Sequence, residues 1–222
     1  MKLIGKIINF FLLFIVLAAI FHNFTAKTAL AFGLGHVLGT AVHVDSADVD
    51  FRGTHVTFRG VRIDHPRGFP HGTMMDIPLI FADLEISALL GRKIHVETVE
   101  VQLREVNVIR DSKRRINLLF LKIFEDGQSS SSQPSQQGQV MPLQIDQLIF
   151  SAGQIVYKDT AGGRSTQRVI KMNLDRVSYR NVGSVSGIME VVIWEVLKQA
   201  GLGSLQNAAA GLLGKIFSGK TS

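Results

Sequence analysis

From Val42 to Tyr179, apolar residues recur at every second position in short runs broken by Gly, Pro and Ser. A period of two puts alternate side chains on opposite faces of a strand, so this stretch is expected to build a sheet with one apolar face. Val42-His43-Val44-Asp45 is the first run; Ala47, Val49 and Phe51 resume it with shifted parity, which predicts a bulge. Val56, Phe58, Val61 and Ile63 form a second strand with a break near Gly60, and residues 65–70 (HPRGFP) read as a loop. Ile80, Ala82, Leu84 and Ile86 make a third strand, followed by a short helical turn at 87–91. Ile94, Val96, Val99, Val101, Leu103, Val106 and Val108 fill one long strand or two in succession, and Ile116 to Phe124 predicts a short amphipathic helix. Further on, Leu143, Ile145, Leu148 and Phe150 give a strand, Gly153 a turn, and Ile155 and Tyr157 a return strand. Ile170, Met172, Leu174, Val177 and Tyr179 give the last.

The two ends depart from this pattern. Lys2 and Lys6 precede an apolar run from Ile7 to Phe21, and residues 3–24 match the length that spans a hydrocarbon core. Positive charge before the run predicts a cytoplasmic N-terminus and a translocated remainder. A cleaved signal peptide is the competing reading, with Ala29-Leu30-Ala31 as its site, but that site lies well past the apolar core. Leu30, Leu34, Val37 and Leu38 then recur at helical spacing up to Gly39, a helix stop. At the other end, 188–200 and 205–217 are helical in pattern. They either pack on the sheet or lie on a membrane surface, with Trp194 and Lys215 as interfacial anchors. The expected organisation is a transmembrane anchor at 1–24, a juxtamembrane helix at 25–40 and a β domain at 41–125. A flexible Ser/Gln linker at 126–139, further sheet at 140–182 and a helical region at 183–222 complete it.

The order of several segments resembles the N-terminal domain of AsmA-like proteins. The matching pieces are the anchor leading to Gly39-Thr40-Ala41-Val42 and the strand pair ending in residues 61–69 (VRIDHPRGF). Residues 80–90 follow with their L-x-I-S-A-L-L run, then Lys93-Ile94-His95-Val96 and Ile116-Asn117-Leu118-Leu119. Residues 145–157 (IDQLIFSAGQIVY) suit the family's later strands. The resemblance implies a bacterial inner-membrane protein whose main domain is periplasmic. It implies a mainly β fold with a folded-over antiparallel sheet, an apolar groove and C-terminal amphipathic helices. It implies phospholipid handling or envelope assembly, with phospholipid, the membrane and envelope proteins or further copies as partners. Val42, Val44, Val56, Phe58, Leu84, Ile86, Val96, Val101, Ile145 and Leu148 are then the candidates for acyl-chain contact. A structural tether with a closed core and no lipid is the alternative.

Few residues point to other chemistry. No cysteine is present, so disulfides, thiolate metal sites and a cysteine nucleophile are excluded. A net charge of +6 favours anionic surfaces, but two Tyr and one Trp do not make a single-strand nucleic-acid binder, so no nucleic acid is expected. His43, Asp45, Asp48 and Asp50 form the densest ligand-like cluster, and a hydrolase using them is a third reading. The solvated face of a strand whose other face carries Val42 and Val44 is the preferred account of them. Neither a P-loop, a zinc-protease helix nor a nucleophile elbow is found, and neither catalysis nor a cofactor is expected.

Overall fold

A computed structural model describes residues 25–50, 54–85, 94–122, 143–161, 165–182 and 185–201. Helix α1 covers 25–38. Six strands follow: β1 (Val42–Asp50), β2 (His55–Asp64), β3 (Thr73–Leu84), β4 (Ile94–Arg110), β5 (Leu143–Asp159) and β6 (Thr166–Val182). A 3-10 turn at Asn117–Phe120 lies between β4 and β5, and helix α2 (Val185–Gln199) closes the described chain. The strands form one sheet in sequence order. The fold is therefore mainly β, as the alternation predicts, and the linker region joins two parts of a single sheet.

Its antiparallel expectation fails at one place. β4 and β5 run parallel, Ile94 beside Leu143 through Arg110 beside Asp159, whereas the other four ladders are antiparallel. Parallel neighbours need a crossover of a dozen or more residues, and the chain between Arg110 and Leu143 is long enough to make one. Gly153 is not a turn either. β5 runs straight through it, and the predicted return strand is the second half of the same strand. Of the predicted helix at 116–124, residues 117–120 form a 3-10 turn, Lys122 is helical, and 123–124 lie outside the described residues. The helical turn at 87–91, the linker and the predicted helix at 205–217 lie outside the described residues, as does the apolar segment 1–24. Among the described residues no helix is long and apolar enough to cross a membrane.

Rows of apolar side chains cross the sheet from strand to strand. Val42, Ile63, Met75, Val106, Ile155 and Ile170 form one row, and Ala47, Phe58, Ile80, Val101, Phe150 and Val177 another. The two rows are five residues apart in β1 through β5 and seven in β6, always an odd number. Strict alternation would place an odd separation on opposite faces. Each strand therefore changes parity between the rows, β6 with two register shifts against β5, and the changes line up as a crease. The bulge predicted in β1 is not found: β1 and β2 change parity together, and their register stays constant from Val42–Ile63 to Asp50–His55. At the crease Gly60 has φ 62°, a left-handed value that favours glycine. It stands between Asp45 and Pro78, and the missing N–H of Pro78 falls where the ladder steps.

α1 and α2 pack on the sheet. Leu34 and Leu38 are buried from α1, which ends at Gly39 with φ 71° and a Gly39 N–H bond to the Gly35 carbonyl at 2.9 Å. α2 buries Val191, Val192, Ile193, Val196 and Leu197 in the same core. Tyr179 on β6 donates to buried Glu195 on α2 at 2.9 Å, and burial followed by that carboxylate pushes its phenol well up. Arg168 reaches from β6 to the Ala200 carbonyl at 3.1 Å.

Candidate functional site

The two helices do not cover the sheet completely. A cavity of about 190 Å³ lies between them and is lined only by apolar side chains. Its floor comes from Phe58 and Ile63 on β2, Ile77, Ile80 and Ala82 on β3, Val96, Val99, Val101 and Leu103 on β4, and Ile145 on β5. Leu30 and Leu34 of α1 and Ile188 and Val192 of α2 form its walls. An apolar cavity offers dispersion contact and exclusion from water, and nothing in this one supplies a nucleophile, acid or base. Its volume is below the ~300–1,000 Å³ of whole-ligand pockets. The space suits a segment of an apolar chain.

Four of the ten lipid-contact candidates line this cavity: Phe58, Val96, Val101 and Ile145. Val42 and Leu148 are buried in the surrounding core, Val44 and Leu84 pack partly buried against it, and Val56 is half-buried. Ile86 lies outside the described residues. The alternating pattern missed Leu30, Leu34, Ile188 and Val192, because it reads one strand at a time and cannot say which helix closes over which row. Their own helical spacing was the available signal. Trp194 is partly buried against the core, and Lys215 lies outside the described residues.

A larger cleft of about 570 Å³ opens at the end of the sheet, between the C-terminal end of α1 and the 65–72 loop. Its lining is mixed, with Thr40, Asp64, His65, Arg67 and His71 beside Ala41, Pro66 and Phe69. Beside it, buried Asn117 ties the loop to the sheet. Its Oδ1 accepts from the Ile109 N–H at 2.9 Å, and its Nδ2 donates to the Asn107 carbonyl at 2.7 Å and to His65 Nδ1 at 2.9 Å. Burial holds His65 below the usual imidazole range.

The opposite end of the groove carries a clamp. His95 and Asp146 sit next in sequence to the groove residues Val96 and Ile145. His95 Nδ1 bonds Glu85, and Nε2 bonds Asp146 at 2.9 Å. The bond to Glu85, then the one to Asp146, raises the pKa of His95. Asp146 is held low, first by the Gln144 amide at 2.8 Å and then by His95.

Three of the four residues of the His43/Asp cluster fall into separate pairs along the exposed side of β1. His43 bonds Asp64 at 3.0 Å, Asp45 takes Arg62 in a two-pronged pair at 2.7 and 2.9 Å, and Asp50 faces His55 at 3.7 Å. That Arg62 bond, above all, holds the Asp45 carboxyl below the usual carboxylate range. No group of three or more metal-ligating side chains occurs among the described residues.

Compared with known proteins, the chain matches the AsmA family over residues 53–215. No curated protein and no solved structure matches it. The match takes in β2 through α2, the whole floor of the cavity and the α2 wall, and it covers well over half of the 222 residues. The chain belongs to the AsmA family.

Proposed function

We propose that this protein is a membrane-anchored envelope protein that holds phospholipid acyl chains in the groove between α1, α2 and the sheet. One observation carries the reading: the cavity is lined from six elements without a single polar side chain, between two helices and a sheet. Each CH₂ removed from water there contributes about 0.8 kcal/mol. Membership of a family linked to envelope assembly and lipid handling supports the same reading. The apolar segment 1–24 anchors the chain in the inner membrane, and α1 carries the domain into the periplasm, where no cysteine is needed. No catalytic step or cofactor is involved.

A photoreactive amino acid placed at Ile80, in the groove, tests this in living bacteria grown on radiolabelled phosphate. Val169, 55% exposed on β6, is the control position. A phospholipid adduct at Ile80 and none at Val169 is expected. Adducts at neither position, from a folded protein, would favour a closed core and a tethering role.

A further inference from the structure

Among the described residues the sheet ends at two strands, β1 and β6, with no further strand beside either, and they carry opposite charge. β1, at one edge, holds Asp45, Asp48 and Asp50 and neither Lys nor Arg. β6, at the other, holds Arg168, Lys171, Arg176 and Arg180 against one Asp175, a balance of +3 facing −3. Edge strands present unpaired N–H and C=O groups, and charge on them ordinarily keeps copies apart. That protection works when both meeting edges share a sign. Here it works only for like edges: β1 against β1 sets acid on acid, and β6 against β6 sets base on base. β6 against β1 is the one combination in which opposite charges face each other across the new ladder.

Part of that charge is uncommitted. Asp48 on β1 and Lys171 and Arg180 on β6 are exposed and make no ion pair among the described residues. Neither strand contains a proline to blunt its edge, and β6 is 17 residues long, with Val169 55% exposed. We propose that copies of this chain join head to tail, the basic edge β6 of one adding to the acidic edge β1 of the next. Such a contact is heterologous, and repeating it adds copies in a row with one continuous sheet, open unless its rotation closes a ring. This inference does not depend on the groove holding lipid.

The absence of cysteine makes the test direct, since introduced thiols are the only ones. Two differently tagged full-length chains are co-expressed in bacterial membranes. One carries Ser46→Cys on β1, and the other a single cysteine stepped through residues 171–180 of β6. Within one chain the two edges are five strand spacings apart, about 24 Å, too far for a disulfide. Disulfides between the two tags are expected at alternate β6 positions, the period of a paired strand. Lys171→Glu with Arg180→Glu should lower their yield several-fold, and Asp48→Lys in the other copy should restore it. Absence of any β1–β6 disulfide across the scan would overturn the proposal. So would β1–β1 or β6–β6 disulfides of equal yield.

Discussion

His95 is the side chain whose chemistry reaches furthest beyond its own strand. Only an imidazolium donates from both ring nitrogens, and both nitrogens of His95 bond carboxylates, Glu85 at the end of β3 and Asp146 on β5. The clamp thus ties β4 to both its neighbours through one proton. The folded pKa is raised above the ordinary value of about 6.5, so between those two values the folded state binds more protons than the unfolded one. The stabilisation is fully present below about pH 6.5 and is lost as pH rises through the folded value. His65 works the other way. Burial lowers its pKa, so its contribution is present above about pH 6.5 and is lost as pH falls through its folded value. Thermal midpoints measured from pH 5.5 to 9 should therefore fall on the alkaline side in the wild type. In His95→Asn that alkaline decline should flatten, and the acid-side decline should stay. Parallel profiles for the two proteins would sink the clamp. Neither the clamp nor the Asn117 network was legible in the sequence. Each joins residues that are polar, unremarkable in spacing and tens of positions apart, 51 for His95–Asp146 and 52 for Asn117–His65.

Among elements, the strands were the easiest to read, because a half-buried strand must alternate and these do. What misled were the residues at the crease. Gly153 looks like a turn because glycine is permissive, and Pro78 hides the first half of β3 because proline is a poor member of a central ladder. Both residues stand between the two apolar rows, where every strand changes parity. Glycine at 153 answers a packing need: a Cβ there would stand 2.6 Å from the Arg104 carbonyl oxygen of neighbouring β4. That oxygen belongs to the backbone of a strand paired along its length with β5, so it cannot swing away. Gly153→Ala should consequently cost about 1–3 kcal/mol, the usual penalty of overpacking, read from urea unfolding. A loss under 0.5 kcal/mol would mean that the crease yields freely. The parallel β4–β5 pairing was hidden for another reason: alternation is blind to strand direction, and only the length of the connection carries that information.

Taken whole, the molecule is a twisted sheet whose apolar face is too large for its own strands to bury. α1 and α2 cover that face between them and leave the groove along their seam. The two possible roles of the C-terminal helix, roof or membrane-surface anchor, differ in what its removal does. α2 buries Val191, Val192, Ile193, Val196 and Leu197 against the sheet. At about 1.5–3 kcal/mol for each such side chain, an upper bound given a compact unfolded chain, the roof contributes as much as the ~5–15 kcal/mol by which whole domains are stable. A chain ending at residue 184 should therefore lose cooperative thermal unfolding and become sensitive to protease throughout β5 and β6. Leu197→Ala, a milder change at a fully buried position, should remain folded and lose about 2–5 kcal/mol. If the truncated chain instead unfolds with an unchanged midpoint, α2 does not hold the sheet, and its apolar face is free to lie against a bilayer.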